Sequence, residues 1–182
     1  GAQLRNTRLK ATKLQGVDLR GADLEHARFP KGADLRGSDL RGANLRHARL
    51  SLVELHGVFL DGADLGKARL EEANLSGAKL CGSDLRRAHL NGATLQGACL
   101  WGANLAGADF RESRGSRDSA RVDTYEDEFQ DLGPVPTQLG GAEFDGANVH
   151  GAHFEGVNLA GARGLTPPQL ESACVDERTR GT

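Results

Sequence analysis

Along most of this chain a large apolar residue returns at every fifth position, with a small residue two places before it and usually Asp, Asn or Arg between them. The triplets Ala22-Asp23-Leu24, Ala43-Asn44-Leu45, Ala63-Asp64-Leu65, Ala73-Asn74-Leu75 and Ala103-Asn104-Leu105 state the rule. A period of five fits neither the helix repeat near 3.6 nor the strand repeat of 2. It fits a solenoid in which five residues make one side of a coil, so the expected class is all-β with a core running along one axis.

With the large apolar residue as position i, the phase runs from Leu4 through Leu9, Leu14, Leu19 and Leu24 to Phe29. One extra residue enters at Pro30 or Lys31, after which Leu35 and every fifth position to Phe110 keep step. The phase resumes at Leu139, Phe144, Val149, Phe154 and Leu159, which makes 27 registered repeats. Gly at i+2 recurs at 16, 37, 57, 77 and 97, and again at 21, 42, 62, 82 and 102. That 20-residue spacing predicts four sides per coil, with two corners taking the positive φ that Gly adopts without strain. The other two corners carry larger residues and are expected to turn differently. Side chains at i and i−2 point inward, where anything larger than Ala, Ser, Thr or Val at i−2 would overpack a narrow core.

These repeats resemble the pentapeptide-repeat family, with its A(D/N)LXX consensus, over most of the chain. The resemblance implies a right-handed quadrilateral β-helix of about seven coils, roughly 30 to 35 Å long at strand spacing. The expected organisation is a β-helix over 1–110, a polar interruption over 111–138, resumed coils over 139–164, and a helical cap and tail over 165–182. The run Thr166-Pro167-Pro168-Gln169-Leu170 reads as a helix start, with Thr166 as N-cap and Gln169 completing a capping box. Leu170, Ala173 and Cys174 would share its inward face, and GLTPPQLESA resembles the C-terminal cap common in bacterial members of the family. The N-terminal end shows no comparable cap. It is expected to meet a second copy of the chain or a fused N-terminal partner, the more so because the sequence lacks Met and begins in mid-pattern.

Residues 1–110 carry 16 Lys or Arg against 12 Asp or Glu, and the remainder carry 7 against 13. The basic excess therefore sits on the long stack. Nothing approaches the ~20 apolar residues of a transmembrane helix, and no charged start precedes an apolar run, so a cytoplasmic address is expected. Cys81, Cys99 and Cys174 lack paired short spacing, and reduced, structurally incidental thiols are the reading. Cys81 at i+1 and Cys99 at i−1 are laterally offset on stacked sides, which disfavours a bridge.

The outward residues at one corner and the adjoining side are His26 and Arg28, His47 and Arg49, Lys67 and Arg69, Arg87 and His89. Coils ~4.8 Å apart hold these cations closer than the ~8 Å screening length. Either water and nearby acids such as Glu25, Glu71 and Glu72 neutralise this ridge, or an anionic partner does. An acidic protein is the candidate partner, since no interleaved aromatics or base-reading motif favours sequence-specific nucleic acid. Residues 111–138 form either a solvated excursion or a second partner-binding element using Tyr125 and Phe129.

No CxxC, HExxH, GxSxG or GxxxxGK[ST] signature is present, so no catalytic residue, cofactor or metal is expected. A register carried through the interruption would stack His89, Asp109 and His153 in one column near His150; such a column could hold a metal, and a charge-compensated surface is the preferred reading. The function expected is a non-enzymatic scaffold for protein–protein interaction. The resemblance implies a rival: some family members protect DNA gyrase from inhibitors, mimicking DNA with an acidic rod, and here the coils are net basic.

Overall fold

The computed structural model describes residues 1–10, 13–113 and 135–179. Its backbone is a ladder of isolated parallel bridges rather than long strands, because each side of a coil is only five residues long and turns at both ends. The first side stacks Gln3, Asp23, Asn44, Asp64, Asp84, Asn104 and Asn148. The second stacks Arg8, Arg28, Arg49, Arg69, His89, Asp109, His153 and Cys174. The extra residue near Pro30 is absorbed within one coil, where partners 21 apart give way to partners 20 apart at Asp34 and Glu54. Every i and i−2 residue from Ala22 to Phe110 is buried, including Ser38 and Ser83, whose hydroxyls donate to the carbonyls of Leu35 and Leu80.

All four corners use the same left-handed residue, which corrects the expectation that two would turn differently. His26, His47, Lys67 and Arg87 have φ of 56 to 58°, and Leu52 and Glu72 have φ of 61 and 57°. The coil closes only if each corner reverses in this way, so repeat geometry overrides the preference of the residue that happens to occupy the corner.

The D/N of the repeat has a local cause. The i−1 side-chain oxygen accepts the backbone N–H of i+1, as Asn44 does from Arg46 and Asn74 from Ser76, both at 3.2 Å. Where i+1 is Arg, the same carboxylate also holds the guanidinium: Arg20 Nη2 lies 2.7 Å from Asp18, and Arg111 Nη2 lies 2.7 Å from Asp109. The side-chain hydrogen bond from Arg20, followed by the backbone one, lowers Asp18 from 3.8 to about 2. For Asp109 burial pushes the other way, but hydrogen bonds from Arg111 and Asn91 prevail and leave it at about 2. Carboxylates depressed on folding contribute stability that is present above their unfolded value and lost as pH falls through the folded one. The melting temperature should therefore hold from pH 7 to 5 and fall between about pH 4 and 2, less steeply in Asp109→Asn. A flat acid limb in thermal melts would contradict this.

The interruption leaves from the second side and returns on the third, where Gln138 bridges Thr94. Both of its ends are tied to the same corner. Ser113 and Val135 exchange two backbone hydrogen bonds of 2.7 and 2.9 Å, and Ser113 Oγ donates to Glu72 at 2.6 Å. Buried Thr137 accepts the Gly92 N–H at 2.9 Å and donates toward the Leu90 carbonyl. Tyr125 and Phe129 lie outside the described residues.

Helix α1, Pro167–Glu171, begins as the capping-box residues require, with the Thr166 N–H donating to Gln169 Oε1 at 2.8 Å. Gln169 Nε2 then donates to the Ala147 carbonyl at 2.7 Å, which anchors the cap to the last coils. Leu170 and Ala173 pack on the core. Cys174 does not join them: the helix has ended, and Cys174 continues as a strand residue bridged to His153. The expectation of reduced thiols is also corrected, because Cys81 and Cys99 form a disulfide with Cα atoms 5.9 Å apart. Cys81 already belongs to the corner turn, and that turn removes the lateral offset inferred for an extended side. Cys174 stays free.

Candidate partner-binding ridge

Repeat geometry places two columns side by side. Arg8, Arg28, Arg49, Arg69 and His89 succeed one another at i−1 of the second side, and Asn6, His26, His47, Lys67 and Arg87 occupy the corner before it. Between them runs an open groove of about 460 Å³ lined by His26, His47, Arg49, Lys67, Arg69, Arg87 and His89. It continues toward the N-terminal end past Asn6, Arg8 and Arg28. All eight ridge residues singled out in the sequence therefore line one continuous strip.

The nearby acids neutralise only part of it. Glu25 pairs with Arg5 at 2.9 Å and lies 3.6 Å from His26. Glu71 takes Arg69 at 3.0 Å and Ser51 at 2.6 Å, while Glu72 is engaged by Ser113. Among the described residues, Arg28, Lys67 and Arg87 form no ion pair. Arginines elsewhere on the coils behave differently. Arg20, Arg36, Arg41, Arg86 and Arg111 each sit two residues after an Asp that holds them.

The imidazoles of His26 and His47 stack with centroids 4.7 Å apart and planes 7° apart. Burial, followed by the charges of His26, Lys67 and Arg46, holds His47 below its ordinary value. Burial and these charges therefore favour a neutral His47 ring within a cationic strip.

The ridge corner also carries five of the seven non-Gly residues with positive φ among the described residues, Leu52 and Glu72 being the other two. A left-handed conformation costs an L-residue about 1 to 2 kcal/mol, and Gly avoids it. Gly107 and Gly151 fill this same corner in later coils, yet His26, His47, Lys67 and Arg87 adopt positive φ in succession. Residues held in such conformations cluster at functional sites. Nothing in the five-residue pattern signals this strain, since the pattern marks left-handed corners only where Gly stands. The apolar residues Phe59 and Trp101 are exposed at 41% and 63%, and Phe59 lies under Arg41 at 5.8 Å, away from the ridge.

The family model for pentapeptide repeats matches the chain in 8 copies, over residues 1–30, 31–66, 68–105, 88–114 and 137–163. Among solved structures, HetL is a pentapeptide repeat protein involved in heterocyst differentiation regulation from the cyanobacterium Nostoc sp. strain PCC 7120. It is 32% identical over 96% of this chain and 70% of its own, with a TM-score of 0.40. Rfr23, from the cyanobacterium Cyanothece 51142, is 22% identical over 93% of this chain and 91% of its own, with a TM-score of 0.38. QnrB1, a plasmid-mediated fluoroquinolone resistance protein, is 16% identical over 97% of this chain and 92% of its own, with a TM-score of 0.41. No curated protein matches the chain.

Proposed function

Because the chain belongs to the pentapeptide-repeat family, whose members are right-handed β-helices, we propose that it is a non-enzymatic scaffold binding an acidic protein along the ridge of the second side. The observation that carries this reading is the strained cationic corner. Lys67 and Arg87 hold positive φ without an acidic partner among the described residues, where Gly would close the coil with less strain. A column kept at a cost in stability is better explained by recognition than by folding. The groove is long and open, which suits an extended acidic segment rather than a small molecule. No helix among the described residues is long and apolar enough to cross a membrane. A cytoplasmic setting belongs to this proposal.

The test joins stability to binding in Lys67→Gly/Arg87→Gly. Relief of two left-handed corners should raise the melting midpoint by several degrees, at about 1 kcal/mol or more per corner. Binding of a fluorescent polyglutamate peptide should weaken and lose its salt sensitivity. Unchanged peptide affinity in the stabilised variant would move recognition off the ridge, and stronger binding of duplex DNA than of polyglutamate would replace the acidic protein with nucleic acid. The rival reading, a DNA-mimicking gyrase-binding protein that confers inhibitor resistance, requires an acidic surface where this strip is basic. Protection of gyrase supercoiling from a fluoroquinolone by the purified chain would favour that rival.

A further inference from the structure

Beyond the ridge, the second side ends in a cluster of different chemistry. His153 and Glu155 flank buried Phe154 at i−1 and i+1 and therefore project from the same outer face. The third member arrives from the cap. Cys174 bridges His153, its N–H donating to the Ala152 carbonyl at 2.8 Å while its own carbonyl accepts the Phe154 N–H at 2.8 Å. One donor atom each from His153, Glu155 and Cys174 lies within 4.8 Å of the others. His153 Nδ1 is 3.1 Å from Glu155 Oε1. Glu155 Oε2 is shielded from solvent and has no hydrogen-bond partner.

We propose that His153, Glu155 and Cys174 form a zinc site that fastens the C-terminal cap to the last coil. Nitrogen, oxygen and sulfur donors together match Zn²⁺ better than the hard cations, which take oxygen alone. Three protein ligands and one water complete a tetrahedron. On binding, the Cys174 thiol releases its proton to solvent and the thiolate donates to the metal. His153 donates a ring lone pair as a neutral imidazole, and the Glu155 carboxylate gains the partner it lacks. The donors sit on a bridged backbone, so rotation of side chains alone can draw them to bonding distance. The neighbouring cation, Arg111, is committed to Asp109 through bonds of 2.9 and 2.7 Å, and its field reaches Glu155 and Cys174. That charge opposes a second cation, so removing it should strengthen the site.

The experiment titrates the full chain, purified with a chelator and with the Cys81–Cys99 disulfide intact, with Co²⁺ as a spectroscopic stand-in for Zn²⁺. One equivalent should bind with a thiolate-to-cobalt charge-transfer band, and Zn²⁺ should displace the Co²⁺ and raise the melting temperature. Cys174→Ser should abolish the band. Glu155→Gln, at a partly exposed side chain, should weaken binding by at least the about 10- to 100-fold typical of losing an outer-shell partner, and Arg111→Gln should tighten it. Cys81→Ser/Cys99→Ser should retain the band. Absence of the band in the wild-type chain, or its persistence in Cys174→Ser, overturns the proposal.

Discussion

Leu65→Lys will melt the middle of the stack. Leu65 is fully buried, and its coil is bonded on both faces: the Leu65 N–H donates to the Asp84 carbonyl and the Leu45 N–H donates to the Asp64 carbonyl, each at 2.7 Å. An ammonium there has no acid to pair with in a core of Leu, Ala, Val and Phe. Leaving a buried charge uncompensated costs about 3 to 5 kcal/mol, a large share of the 5 to 15 kcal/mol that stabilises a typical domain. Because a solenoid is held by contacts between neighbouring coils, the loss spreads to the coils of Leu45 and Leu85 before it reaches the ends. Far-UV circular dichroism should show a much lower or broadened transition. The control is Gln96→Lys, where the side chain is exposed and the expected change is within about 0.5 kcal/mol. Equal melting of the two variants would reverse the inward and outward assignments on which the fold rests.

How far the sequence carries can be judged from particular residues. The five-residue phase depends on core size alone, and core size is dictated by burial, so Leu24, Leu45, Leu65, Leu85 and Leu105 fall inside without exception. The resumed phase at Leu139 was legible for the same reason, since the chain must return in step or expose its core, whereas a period of five does not encode which side it rejoins, here the third, where Gln138 pairs with Thr94. What the phase does not encode is the conformation of the corners. His26, Lys67 and Arg87 look like residues that avoid positive φ, and only closure of the coil forces it on them. Gly66 reads as outward, yet it is buried beneath Arg46, whose guanidinium reaches across the coil toward Asp64 at 3.4 Å. The disulfide was hidden because sequence register treats a side as straight, whereas Cys81 has begun to turn. The His153, Glu155 and Cys174 cluster was half visible. The column of Asp109 and His153 follows from the repeat once the register is carried through the interruption, but Cys174 joins it only because α1 stops at Glu171 and lets the chain run back along the second side.

Phe110→Ala will separate the coils on either side of the interruption. Phe110 is the last core residue before the chain leaves the stack, and the first aromatic it meets on the far side is not its chain neighbour. Its ring stacks on Phe154 with centroids 4.8 Å apart, and Phe144 stands edge-on to both at 6.5 and 6.4 Å. All three are fully buried, and the Phe110 N–H donates to the His153 carbonyl at 3.0 Å. Truncating a buried Phe costs about 3 to 5 kcal/mol, and the two ring pairs that Phe110 makes place this loss toward the upper end. That loss falls on one interface: among the described residues, the bridges that join the resumed coils to the earlier stack run from Gln138, Glu143, Asn148 and His153 to Thr94, Cys99, Asn104 and Asp109, the coil that ends at Phe110. In a molecule held by nearest neighbours, weakening one interface uncouples two blocks instead of lowering the whole evenly. Hydrogen exchange should therefore show residues 139–179 losing protection in Phe110→Ala while amides around Leu45 and Leu65 keep theirs, and thermal melts should split into two steps. A uniform loss of protection along the chain would mean that the stack melts as one unit and that the interruption is no weaker than any other coil.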